Sequence, residues 1–81
     1  MTNRELFDHI MTNNLKVSKD QLPGLRYRGI KQWDSMTHMD IVSDLEEKFG
    51  IEMETMHVLE FDTYEKGMKI LSENYGISFD E

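Results

Sequence analysis

Trp33-Asp34-Ser35-Met36-Thr37-His38-Met39-Asp40-Ile41-Val42-Ser43-Asp44-Leu45-Glu46-Glu47-Lys48-Phe49-Gly50-Ile51-Glu52-Met53 is the stretch that decides how this chain folds. Ile41, Leu45 and Phe49 fall four apart, with Met36, Met39 and Val42 beside them. That is the spacing of one apolar face of an α-helix. Asp40, Asp44, Glu46 and Glu47 are mostly left for the solvent side. Asp34 and Ser35 stand ahead of the run, and both types favour helix starts because their oxygens accept from free backbone N–H groups. Gly50 ends the run, with Lys48 placed favourably in its last turn. A helix opening at Asp34-Ser35 and closing at Gly50 is therefore expected.

Upstream, residues 16–33 form a long connection whose turn signal is Pro23-Gly24. A connection of this length needs anchoring in a compact domain. Leu22, Leu25, Tyr27 and Ile30 are expected to pin it to the core, leaving Arg26 and Arg28 to water. Before it, Thr2-Asn3-Arg4-Glu5 has the form of a capping box. Leu6, Phe7, Ile10 and Met11 follow at helical spacing, so a first helix is expected to end near residue 15.

Downstream, Ile51-Glu52-Met53 reads as extended, and residues 55–60 as a brief helix carrying Met56 and Leu59. Asp62, with Glu65 three residues on, is expected to open a last helix with Tyr64, Met68, Leu71 and Tyr75 on its apolar side. Gly76 closes it, and residues 77–81 read as a frayed tail. The expected fold is all-α: one domain over residues 1–81, four helices, a long loop between helices 1 and 2, a short third helix and no strand pairing.

The whole chain narrows the function classes. Eighty-one residues suit one domain and leave little room for an enclosed active site. A carrying, binding or adapter role is thus expected ahead of a self-sufficient enzyme. With no cysteine there is no disulfide, thiolate metal site or cysteine nucleophile. No apolar run approaches the ~20 residues of a membrane span, and the N-terminus has no long apolar signal segment. The cytoplasm is the expected compartment.

The net charge of −7 argues against nucleic acid as a partner. Six bases face three acids in residues 1–33, whereas three face thirteen in residues 34–81. The acidic second part would attract basic partners and speed their encounter.

Ser35 is the residue with chemical promise. Read as a dipeptide, Asp34-Ser35 is a helix cap. The same position offers unpaired N–H groups and the positive end of the helix dipole, which suit a phosphate. A serine hydroxyl is a weak nucleophile without a partner base, and none lies nearby in sequence. Ser35 therefore reads as a site modified by another enzyme. An independent hydrolase built on it is disfavoured.

Two motifs carry a resemblance. Asp34-Ser35-Met36, followed by Leu45-Glu46-Glu47-Lys48-Phe49-Gly50-Ile51-Glu52-Met53, is similar to the acyl carrier protein family. There an Asp-Ser-Leu motif opens the second helix of a four-helix bundle, and Leu-Glu-Glu-x-Phe-x-Ile-Glu-aliphatic ends it. The spacing agrees over residues 34–53, and the likeness extends loosely from about residue 3 to about residue 72. It implies a 4′-phosphopantetheine arm on Ser35 through a phosphodiester, whose thiol holds acyl or aminoacyl groups as thioesters. The reactive sulfur would then come from the cofactor, which suits a cysteine-free chain.

The resemblance further implies that Asp34 orders the helix start and the modifying enzyme's Mg²⁺ site, and that Met36 is the apolar contact after the serine. Asp40, Asp44, Glu46 and Glu47 would meet basic patches on a phosphopantetheinyl transferase and on acyl-loading and acyl-consuming enzymes. A shuttle of this kind is expected to be a monomer.

Several positions depart from the fatty-acid-synthesis pattern. Met36 replaces Leu, Lys48 replaces an acid, and His38, Met39, Ser43 and Asp44 differ. Trp33 precedes the motif and the connection before it is basic. These departures point to a carrier dedicated to a particular biosynthetic pathway rather than the housekeeping fatty-acid carrier. An unmodified acidic adapter binding a basic protein is the alternative. Of the remaining residues, Trp33 is expected as a packing anchor. His9, His38 and His57 are expected at the surface or as caps, without a metal site. The seven methionines are expected mainly as core filling, or else as a soft lining for an acyl chain.

Overall fold

A computed structural model describes residues 1–80. Four α-helices make up the framework: α1 (Asn3–Leu15), α2 (Ser35–Phe49), α3 (Thr55–Glu60) and α4 (Tyr64–Tyr75). No strand occurs among the described residues, only an isolated bridge between Arg26 and Thr63. The radius of gyration is 11.4 Å, close to the ~12 Å of a compact chain of this length.

The capping box at α1 forms as the sequence predicts. Thr2 Oγ1 accepts from the Glu5 N–H at 3.1 Å, and Glu5 accepts from the Thr2 N–H at 2.9 Å. Phe7, Ile10, Met11 and Leu15 are buried. So is Asp8, whose side chain accepts from the Tyr64 hydroxyl at 2.5 Å and pairs with Arg4 at 3.6 Å. Burial, together with this bond to Asp8, pushes the Tyr64 hydroxyl up to about 12. The cluster joins α1 to α4.

The connection between α1 and α2 is not structureless. A single 3-10 turn, Lys19–Gln21, forms within it, closed by Ser18 and Gln21. Leu22 and Trp33 are fully buried, and Leu25, Tyr27 and Ile30 pack partly against the core. Arg26 and Arg28 are exposed. Tyr27 N–H donates to the Asp62 carbonyl and Tyr64 N–H to the Leu25 carbonyl, lacing the connection to the start of α4. These bonds satisfy backbone groups that a helix-free segment would otherwise bury unpaired.

Three expectations need correction. Thr63, not Asp62, caps α4: its hydroxyl accepts from the Lys66 N–H at 2.9 Å. Asp62 stands one residue ahead of the cap, and its carbonyl takes the Tyr27 N–H. The segment after Gly76 is docked rather than frayed. Ile77 is buried, Phe79 packs edge-on against Phe7 at 5.6 Å and Phe49 at 6.4 Å, and Asn3 donates to the Ser78 carbonyl. Glu81 lies outside the described residues. The methionines, finally, are mostly not core: Met11 is buried, Met53 and Met68 pack at its edge, and Met1, Met36, Met39 and Met56 are exposed.

Candidate functional site

The start of α2 is where the candidate residues gather. Asp34 is its N-cap: a side-chain oxygen accepts from the Thr37 N–H at 2.9 Å. That bond, made to the ionised carboxylate, lowers the Asp34 pKa. Ser35 is the first residue of the helix and is exposed. No hydrogen bond within the protein ties down its hydroxyl. Capping is done by Asp34 alone, so the Ser35 oxygen is left over from the structural work at this end.

The buried face of α2 consists of His38, Ile41, Val42 and Leu45. His38 is thus a core residue, not a surface or capping histidine. Trp33 explains it. The indole N–H can only donate, so a fully buried tryptophan needs an acceptor. Trp33 Nε1 donates to His38 Nδ1 at 3.0 Å, and His38 Nε2 lies 2.9 Å from the Val58 carbonyl. The partners assign the tautomer: Nδ1 must carry the lone pair and Nε2 the proton. Both ring nitrogens are therefore occupied. The nearest imidazole to Ser35 in sequence has no lone pair to offer a serine proton, so α2 carries no serine–histidine pair.

Burying 38, 41, 42 and 45 turns Met36 and Met39 outward. Met36 is 77% exposed and Met39 53%. On α3, Met56 and Leu59 are also exposed, at 66% and 77%. This six-residue helix buries no residue fully and has no side-chain cap. It is held instead by the His38–Val58 bond and by Tyr75. The Tyr75 hydroxyl accepts from the Glu54 N–H at 2.8 Å and lies 2.7 Å from His57 Nδ1.

Between the start of α2 and the end of α3 lies an apolar cleft of about 190 Å³. Tyr27, Ser35, His38, Met39, Val58, Leu59 and Phe61 line it. The cleft was not foreseen in the sequence, because it needs the fold of the connection to bring Tyr27 beside α2. A wider hollow of about 520 Å³ under Arg26–Gly29 is more open and lacks Ser35.

The acidic residues divide into two kinds. Asp40 and Glu47 are exposed. Asp44 is half-buried and accepts from the Asn14 side chain of α1 at 2.9 Å. Glu46, also half-buried, accepts from the Met53 N–H at 2.9 Å, bracing the turn after α2. Two of the four acids predicted to face partners therefore also hold the fold together. Among the described residues, no group of three His, Asp or Glu side chains converges to hold a metal ion, and no helix is long and apolar enough to cross a membrane.

Comparisons with protein families, with curated proteins and with solved structures found no match to this chain.

Proposed function

We propose that this chain is an acyl carrier protein, an acyl-carrier-like four-helix bundle that bears a 4′-phosphopantetheine arm on Ser35. One observation carries the reading: Ser35 is exposed and unbonded at the first turn of α2 and opens onto an apolar cleft. A phosphodiester there would lie at the positive end of a fifteen-residue helix. The occupied nitrogens of His38 leave the activation of Ser35 to an outside enzyme. In that step the Ser35 hydroxyl loses its proton to the transferase, an Oγ–P bond forms, and the P–O bond to the donor's leaving group breaks. The protein then positions the arm, and the arm's thiol carries an acyl or aminoacyl thioester between partner enzymes of a biosynthetic pathway.

Partners with basic patches would meet Asp40 and Glu47 directly, and Met36, Met39, Met56 and Leu59 would supply apolar contact around the serine. Asp44 and Glu46 add negative charge while keeping their structural bonds. A monomer in the cytoplasm suits a shuttle serving several enzymes.

Intact-mass measurement after incubation with coenzyme A and a broad-specificity phosphopantetheinyl transferase tests this. One arm should be gained by the native chain and none by Ser35→Ala. Absence of any gain, under conditions that modify a control carrier fully, would sink the carrier reading. It would favour the unmodified acidic adapter, which would use the same exposed methionine surface.

A further inference from the structure

We propose that Met36, Met39 and Met56 form a reversible oxidation site: a two-electron oxygen donor of the peroxide class turns the face that carries Ser35 from apolar to polar and leaves the fold intact. As a statement about arm transfer this rests on the carrier reading. As a statement about the surface it does not.

Sulfur is unevenly placed in this protein. There is no cysteine, so the seven methionines hold all of it. Met11 is fully buried, and Met53 and Met68 pack at the edge of the core. The exposed methionines, apart from Met1, fall on two short stretches. Met36 and Met39 stand three apart on α2 and so share a face just after Ser35. Met56 stands three before Leu59 on α3, and Leu59 lines the same cleft as Ser35 and Met39. All three methionines are more than half exposed, which opens their sulfurs to a small oxidant.

Leucine would give a similar apolar surface, as Leu59 does, but only a thioether can be changed in place. A lone pair on sulfur takes one oxygen atom from the peroxide, the O–O bond breaks and water leaves. Sulfur loses the two electrons that the peroxide gains. The sulfoxide is polar and accepts hydrogen bonds, so pressing it into an apolar contact means stripping its water. In a core this change is disruptive. Here it costs no packing: α2 buries His38, Ile41, Val42 and Leu45, α3 buries no residue fully, and none of the three methionines belongs to the core cluster. Methionine sulfoxide reductases reverse the step. Two thiols become a disulfide, the oxygen leaves as water and the thioether is regained. Leu59 keeps its apolar surface throughout, so oxidation weakens docking rather than abolishing it.

The full chain, and a variant combining Met36→Leu, Met39→Leu and Met56→Leu, are each treated briefly with hydrogen peroxide, freed of it, and compared with their own untreated samples. Peptide mass mapping of the native chain should find one oxygen on each of the three methionines, and on exposed Met1, before any on buried Met11. The urea midpoint should not move. Retention on a phenyl column should fall for the native chain and return after both methionine sulfoxide reductases have acted with dithiothreitol. The variant's retention should stay unchanged although its Met1 is oxidised. Arm transfer from coenzyme A should slow about ten-fold in the oxidised native chain, the equivalent of ~1.4 kcal/mol of lost contact, and recover on reduction. The variant's rate should be the same with and without peroxide.

Met11 keeping pace with the three, or a midpoint that falls as they oxidise, would overturn the separation from the fold. Equal loss of retention by the variant would place the effect at Met1 and overturn the site. An unchanged rate of arm transfer after oxidation would overturn the effect on docking. If no arm is accepted even before treatment, the carrier reading fails, and mapping, midpoint and retention still decide the oxidation site.

Discussion

Asp34 and Gly67 show how single residues set this structure. The Asp34 carboxylate caps α2 in its ionised form, and its pKa is lowered by the Thr37 N–H. A carboxylate with a lowered folded-state pKa stabilises above its unfolded value, ordinarily near 4, and loses that contribution as pH falls through the folded value. Asp34→Ala should therefore melt below the native protein at pH 7, and the gap should narrow below pH 4. A gap independent of pH between 7 and 3 would show that the charge does not matter to the cap. Gly67 inverts a common expectation. In a helix interior, Gly→Ala usually stabilises by up to ~1 kcal/mol. Here a Cβ would stand 2.5 Å from the Phe61 ring, and that ring is fully buried. Overpacking of this kind costs about 1–3 kcal/mol, so Gly67→Ala should lower the urea midpoint. An unchanged or higher midpoint would show that Phe61 can retreat.

At the scale of elements, the helices were largely legible and their faces only partly so. The capping box, the α2 periodicity, the Thr55–Glu60 helix and the glycine ends of α2 and α4 are local signals, and the structure follows them. Outward-facing Met36 and Met39 were misleading because hydrophobicity alone does not fix a helix's rotation. The partner of Trp33 does, and only the fold reveals that His38 is that partner. Buried Asp8 had a faint signal, standing four residues after Arg4 on the side of Phe7 and Met11. At the candidate site, Ser35 and Asp34 could be read from sequence, whereas the cleft could not, since Tyr27 and Phe61 reach it through long-range contacts. The C-terminal segment was missed for a similar reason: its anchors, Phe7 and Phe49, lie on α1 and α2. Ending the chain after Gly76 should remove Ile77 from the core and Phe79 from its two aromatic neighbours. At ~1.5–3 kcal/mol for a fully buried large side chain, a loss of about 2–4 kcal/mol is expected in urea unfolding. A frayed tail would give no loss.

Across the whole molecule, charge is distributed around Ser35 in a way that net charge alone does not describe. The basic connection with Arg26, Arg28 and Lys31 leads into it, Arg28 and Lys31 sharing a surface hollow with Asp34, and α2 with the exposed Asp40 and Glu47 leads away from it. A partner that docks at Ser35 would therefore feel a local gradient as well as the overall −7. Two double variants separate these effects. Asp40→Lys with Glu47→Lys and Glu73→Lys with Asp80→Lys both raise the net charge by four, from −7 to −3. The second pair sits at the end of α4 and in the segment that packs on Phe49, at the far end of α2 from Ser35. Glu46 is left intact because its carboxylate holds the Met53 N–H, and reversing it would disturb the fold along with the charge. If the exposed face of α2 steers the transferase, the first pair should slow arm transfer about three- to ten-fold at low salt, within the range that surface charge gives to association rates. The second pair should slow it much less. The difference should shrink toward 1 M salt, where screening acts over about 3 Å instead of ~10 Å at 0.1 M. Equal slowing by both pairs would mean that the transferase senses only total charge, and the acidic row of α2 would lose its claim to be the docking face.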